Sequence, residues 1–305
     1  MLEAFLTVKT VLTRILAIFT MVLTVLTGAA DALAQGEVYP YLSKENVVGL
    51  PALARSQDVT TDGESFFFSG KSSLVRVSLD NETVLARNLD AIPQELEEQF
   101  GSAHIGGISY YDGKLYAAVE DSKVWAHPLV VLYDAETLRY TGVYAELGSG
   151  RLTRGVPWVA CDAQAGCFYA AQSKSAPSLL CYDLETFGYL GAIPLSEPVP
   201  EIQGAEVYQG KLYAATNDRT RAVYEIDLAT GAVRKYFDRI LLYSSLIANF
   251  GGEGEGITVL PMEDGSLFHT LEVGMLFLNS TFRHYAPLDQ SRGWGQALFR
   301  DDSIL

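Results

Sequence analysis

The 305-residue chain is poor in the residues that build metal and redox sites, with only four histidines and three cysteines. Cys161, Cys167 and Cys181 fall in one short region at spacings that match no zinc pattern, so at most one disulfide can form. A Cys161–Cys167 bridge across a hairpin is one expectation; small buried hydrophobes are the other. Positive charge is scarce too: 22 Lys and Arg stand against 37 Asp and Glu, a net charge of -15. Such a surface repels phosphate backbones, which excludes nucleic acid as an expected partner, and it disfavours simple electrostatic binding to anionic lipid. The chain has no nucleophile elbow and no phosphate loop. Helical periodicity is nearly missing, apart from "IPQELEEQFG" around Glu97.

Only the N-terminus carries a long apolar run. Lys9 and Arg14 precede Ile15 to Leu26, and "GAADALAQ" follows with Ala32-Leu33-Ala34 as a small-x-small site. Basic, then apolar, then small is the order of a secretory signal peptide. Residues 1–34 are therefore expected to be a cleaved leader, with a retained anchor as the alternative, and the protein to be secreted or periplasmic. After cleavage no segment remains that is long and apolar enough to span a membrane.

What the chain has in abundance is a repeat. "HIGGISYYDGKLYAAVED" from His104, "GVPWVACDAQAGCFYAAQSK" from Gly155, "EIQGAEVYQGKLYAATND" from Glu201 and "EGEGITVLPMEDGSLFHTLE" from Glu253 read alike; "QDVTTDGESFFFSGK" from Gln57 is a weaker copy. Each holds an apolar strand, a turn ending at Gly63, Gly113, Gly166, Gly210 or Gly265, and a second strand rich in aromatics and alanine. "LVVLYDAETLRYTGVY", "SLLCYDLETFGYLGAI" and "AVYEIDLATGAVRKYF" add two further strands. Four strands in a unit of ~40–50 residues is the period of a propeller blade. The expected fold is all-β: a five- or six-bladed β-propeller with four-stranded antiparallel blades over residues 57–305. Residues 35–56 would complete a sixth blade or help close the ring. A β-sandwich or β-helix is the alternative. Asp134, Asp183 and Asp227 open turns, where Asp bonds its own backbone, and are read as structural.

The "DGKLYAA…YDLxTG" pattern resembles the secreted five- and six-bladed propellers, a broad group that includes propeller-type glutaminyl cyclotransferases, gluconolactonase-like proteins and NHL-like modules. The resemblance spans most of residues 57–285. It lies in blade motifs and brings no catalytic residue onto this chain.

Alignment of the copies places His104, Gly155, Glu201 and Glu253 in one column, and Gly106, Pro157, Gln203 and Glu255 two positions on. These residues open the innermost strands. The next strand runs back, so Glu120-Asp121, Ser173, Asn217-Asp218 and Glu272 return to the same level. Both polar sets should face one mouth of the central channel. In "GGEGEGITV" the glycines would let the strand approach the axis, and Glu253 and Glu255 would share a face of it.

Two functions follow. The first is a pocket for a small polar molecule, with hydrolase or cyclase chemistry. Glu255, Glu201 and His104 are its candidate acids and bases, and Trp158, Gln203, Glu253, Asp121 and Asp218 its candidate ligand contacts. A divalent cation, calcium by its taste for oxygen, would be held by Glu255, Glu120, Asn217 and Glu272. The second is a non-catalytic module for an extracytoplasmic protein or a carbohydrate, with Trp125, Trp158 and Trp294 as anchors. The long "AVEDSKVWAHPLVVLYD" stretch would partly cover the mouth.

Overall fold

The computed structural model describes residues 39–121, 124–240, 252–274 and 277–287. The expected leader at residues 1–34 and Trp294 lie outside the described residues. An outer strand, β1 (Ser43–Val48), comes first and leads through a single helical turn, α1 (Leu50–Leu53), into the first blade. That blade is β2 (Asp58–Thr61), β3 (Ser65–Gly70), β4 (Ser73–Ser78) and β5 (Val84–Asn88). A short helix, α2 (Gln94–Phe100), ends on Gly101 in the left-handed region and carries the chain to blade two. Blade two is β6 (His104–Tyr111), β7 (Lys114–Glu120), β8 (Leu129–Asp134) and β9 (Tyr140–Glu146). Blade three is β10 (Val159–Asp162), β11 (Cys167–Ala170), β12 (Ser175–Asp183) and β13 (Tyr189–Pro200). Blade four is β14 (Ile202–Tyr208), β15 (Lys211–Thr216), β16 (Val223–Asp227) and β17 (Val233–Phe237). Blade five takes β18 (Glu253–Val259), β19 (Phe268–Val273) and β20 (Asn279–Tyr285) from the end of the chain. Its fourth strand is β1, paired antiparallel with β20 from Ser43↔His284 to Val48↔Asn279.

The protein is thus an all-β, five-bladed propeller of four-stranded antiparallel blades. A sixth blade does not form, because the strand before the first repeat is used as the outer strand of the last. That arrangement pairs the outer side of β20 and joins the two ends of the fold.

The core is a ring of five apolar clusters, one between each pair of neighbouring blades. Strand alternation sets this up. In β7, Leu115, Ala117 and Val119 face blade one, while Tyr116 and Ala118 face blade three. The same period-two rule places Cys161 and Cys167 on opposite faces of blade three. Cys161 pairs with Phe168 in the ladder and Cys167 with Asp162, so the two sit on adjacent rungs. Cys161, Cys167 and Cys181 are all free thiols, and the bridge expected across this hairpin is not made.

At the axis three inner strands carry a bulge at the same level: between Ile105 and Ile108, between Ile202 and Gly204, and between Gly254 and Ile257. The carboxylate of Asp58 fills the space they leave. It accepts hydrogen bonds from the backbone N–H groups of Val59 at 2.8 Å and Ile108 at 2.8 Å, and also from Ile257. A Cβ on Gly256 would lie 1.7 Å from Asp58 Oδ1, and one on Gly204 2.4 Å from it. A Cβ on Gly254 would meet the Arg239 guanidinium at 2.6 Å. The alternating glycines of "GGEGEGITV" therefore make room for two polar side chains, an aspartic acid on one side and an arginine on the other.

Gly256→Ala is expected to lower stability by at least ~2 kcal/mol in urea unfolding, since Asp58 has nowhere to retreat. Gly210→Ala, at a hairpin turn with φ +74 and open space around it, should cost only ~1 kcal/mol. Equal costs at the two sites would refute the role given to Asp58.

Candidate functional site

The bulges aim side chains into the mouth. Glu255 lies in the bulge of β18 and Gln203 in that of β14, and both line an axial cavity of about 880 Å³. His104, Glu120, Glu201, Asn217 and Glu253 line the same cavity, as do Lys71, Trp125 and Lys174. The register brings these together from separate strands: His104 pairs with Glu120, and Ile202 with Thr216 just before Asn217. From the start of the blade-three inner strand it is Pro157, not Trp158, that reaches the wall, beside Ser173 and Lys174.

Four lining residues hold left-handed backbone without being glycine: Trp125 (φ +52), Lys174 (φ +82), Glu201 (φ +40) and Phe277 (φ +57). Each such residue costs about 1 kcal/mol or more. Asn81, Asp112, Leu138, Phe187 and Gln209 also have positive φ, but they occupy hairpin turns on the opposite face. Turn geometry explains those five. The cavity residues carry their strain in loops whose shape serves the mouth.

Glu255 is 2% exposed, and its Oε1 is buried with no hydrogen-bond partner. Burial pushes its pKa well above the ordinary carboxylate range, and the neighbouring Glu253 carboxylate and then Asp58 push it further. These surroundings favour its neutral, protonated form. Glu272 behaves in the opposite way. Burial opposes its ionisation, but Arg283, Arg239 and Arg221 outweigh burial and hold its pKa below the usual value. Arg283 Nη1 lies 2.8 Å from Oε1 and Arg221 Nη1 3.3 Å from Oε2. Arg239, fully enclosed, also donates to the carbonyls of Leu271, Thr216 and Arg221. Glu272 is therefore committed to the interior of blade five and is not presented to the cavity.

Across the cavity, His104 Nε2 donates to Gln57 Oε1 at 2.7 Å, because the Gln57 amide nitrogen is itself fixed on the Ser56 carbonyl. That leaves His104 Nδ1 facing Glu120 Oε1 at 3.6 Å. Glu120 is held in turn by the backbone N–H of Val156. Glu201 pairs loosely with Lys174 at 3.4 Å, in an exposed position. Asn217 Oδ1 accepts from the N–H of Gly254 and ties blade four to blade five.

Three further residues singled out in the sequence lie elsewhere. Trp158 is fully buried between blades three and four. Asp121 accepts from the N–H groups of Val124, Trp125 and Ala126, and so shapes the loop that presents Trp125. Asp218 does the same for its own loop through Thr220 and Ala222. Among the described residues no group of three or more His, Cys, Asp and Glu side chains is placed to hold a metal ion.

Sequence reasoning passed over two axial acids. Asp58 lies directly below the cavity floor. Glu206 lies one level lower, bonded to the hydroxyls of Thr60 and Thr258, and burial raises its pKa to about 7. The available signal was a carboxylate within each short inner strand, Asp58 in "DVTT" and Glu206 in "IQGAEVY".

No family model and no curated protein sequence matches the chain. Among solved structures, the chain is similar to hydrazine synthase of Kuenenia stuttgartiensis at 14% identity and a TM-score of 0.42, over 72% of this chain and 56% of that one. It is also similar to a structural genomics protein of unknown function from Bacteroides thetaiotaomicron at 13% identity and a TM-score of 0.46, over 82% of this chain and 61% of that one. The chain spans less than two thirds of the length of either.

Removing the carboxylate from the arginine cluster should be severe, because three buried guanidinium groups would lose their counterion. Glu272→Ala is expected to cost ~3–5 kcal/mol in denaturant unfolding. Glu201→Ala, which breaks only an exposed pair, should stay within ~0.5 kcal/mol.

Proposed function

We propose that the axial cavity binds a small polar molecule and that Glu255 works there as a proton carrier, making the protein a hydrolase or cyclase. The observation that carries this reading is the unpartnered Oε1 of the buried Glu255 on the cavity wall, in surroundings that favour its protonated form. A neutral carboxyl group so placed can give its proton to a carbonyl oxygen or a leaving group, and Glu253 beside it stabilises the return of the proton. His104, oriented by Gln57 and facing Glu120, supplies a second acid–base group on the other side. Glu201 and Gln203 are proposed to contact the ligand between them.

Metal assistance would draw on Glu255, Glu120 and Asn217, since Glu272 is engaged by arginines. A calcium ion there would have to displace the Glu255 proton, so its binding should strengthen as pH rises. The N-terminal leader would deliver the activity outside the cytoplasm.

A second reading, docking of an extracytoplasmic protein or carbohydrate, is favoured by the exposure of Leu50, Leu53 and Leu89 on the cavity wall. It predicts that Glu255 is dispensable and Trp125 is not.

The test is turnover of a panel of small lactones, esters and amides, with and without calcium or EDTA, by wild type and Glu255→Gln. The substitution should lower kcat ~10²–10⁴-fold, and wild-type activity should fall as pH rises and Glu255 loses its proton. A stability measurement checks the acid independently of any substrate. Because the folded state binds this proton more tightly than the unfolded chain, wild type should lose stability as pH rises above the ordinary glutamate value of ~4.5. Glu255→Gln should lose less over the same range. Identical pH–stability curves would remove Glu255 from the proposal.

A further inference from the structure

Away from the cavity, at the seam where the ring closes, two buried histidines face each other. His269 on β19 and His284 on β20 bring their Nδ1 atoms to 2.6 Å. The outer nitrogen of each ring is also occupied. His269 Nε2 lies 2.8 Å from the Leu260 carbonyl, and His284 Nε2 lies 3.1 Å from Glu45 Oε1 on β1. The line continues into blade one. Glu45 Oε2 accepts from Asn81 Nδ2 at 2.9 Å, and Asn81 Oδ1 accepts from Arg55 Nη1 at 2.6 Å.

Counting protons decides the state of the pair. Leu260 O and the Glu45 carboxylate only accept, so both outer nitrogens must carry hydrogen. Two neutral imidazoles hold two protons, and these are then used up. The two Nδ1 lone pairs would meet at 2.6 Å with nothing between them. A third proton resolves the contact. A metal ion does not fit there, since two metal–nitrogen bonds of ~2.0–2.1 Å hold the nitrogens about 3.3 Å apart at the tetrahedral angle and about 2.9 Å apart even at 90°.

We propose that His269 and His284 hold one extra proton between them, with Glu45 as counterion, and that this imidazole–imidazolium pair is a pH-sensitive latch on the closure of the propeller ring. His284 carries the charge and donates to both Glu45 and His269. His269 stays neutral and donates to Leu260. Burial, together with the charge on His284, keeps His269 from a second protonation, pushing its pKa down to about 4. The other ionic groups that face the pair are few. Asp264, in the turn before β19, adds negative charge beside both rings, and Arg55 lies beyond Glu45. Phe66 and Phe282 pack on the rings and keep water out.

The sign of the effect has two limbs. Unfolded histidines take their protons near pH 6.5. Below that value the unfolded chain binds two extra protons and the folded pair one, so the latch weakens as pH falls toward about 4. Above it the unfolded chain binds none while the folded pair keeps one, so the latch weakens again as pH rises and the pair lets go. Its contribution peaks near neutrality.

Nitrogen-15 spectra of the histidine rings in the full-length protein at pH 6.5 test the assignment. One ring should be protonated on both nitrogens, and the other only on Nε2 with Nδ1 accepting. Two neutral rings at that pH, or a stoichiometric metal lost in His269→Gln, would overturn it. Glu45→Gln leaves the pair in place and removes its counterion. It should lower the melting temperature by ~2–4 °C near pH 6.5, with the difference vanishing at the pH where the spectra show the third proton gone. A Glu45→Gln melting curve equal to wild type at every pH would overturn the latch. These readouts do not involve the cavity, so they stand or fall apart from the proposed activity.

Discussion

The structure depends on one carboxylate at its centre. Asp58 stands on the propeller axis and takes hydrogen bonds from three inner strands. Strands that converge on an axis cannot all keep regular pairing and also fill the middle. Here three of them bulge at one level, turn N–H groups inward and give up Cβ atoms to admit a carboxyl group. Burial raises the pKa of Asp58, and the converging N–H groups offset part of that cost. The same bulges put Glu255 and Gln203 into the mouth. The device that closes the centre of the fold is therefore also the device that equips the cavity.

Blade five shows how two buried glutamates on neighbouring strands come to opposite electrostatic states. Glu255 and Glu272 lie on adjacent strands and both are buried. Glu272 meets three guanidinium groups and ionises. Glu255 meets another carboxylate, which together with burial favours its protonated form. Gly254, between Glu253 and Glu255, is what lets Arg239 reach its place behind the strand. Two carboxyl groups on adjacent strands thus have pKa values driven in opposite directions by their surroundings, and the lowered one anchors the arginine cluster.

Ring closure concentrates polar design on the seam as well. β1 adds a ladder of six residue pairs to β20, and the line from Leu260 through His269, His284, Glu45 and Asn81 to Arg55 crosses from blade five to blade one. The other interfaces between blades join parts of the chain that are consecutive in sequence, by apolar clusters and, between blades four and five, by polar ties such as Asn217 to Gly254 and Arg221 to Glu272. The seam joins residues more than 200 positions apart, for which the sequence supplies no covalent continuity.

By itself the sequence determined the repeat, the four-strand unit and the level at which polar residues gather. Those are local properties: period-two alternation, turn glycines and aligned copies need no knowledge of the neighbours. It also put His104, Glu120, Glu201, Gln203, Asn217, Glu253 and Glu255 at one mouth, because strand direction follows from the hairpins. Only the tertiary structure decided the blade count, since nothing in "SKENVV" says that it will pair with a strand from the far end of the chain. Only it separated Glu255 from Glu272, because the partners that set their charge, Glu253 on one side and Arg239 and Arg283 on the other, converge in space by bulges and packing. Trp158 shows the same limit from the other direction. Its position in the alignment matched the mouth residues, but a large apolar ring gains more by filling the space between two blades than by facing water, and packing took it into the core.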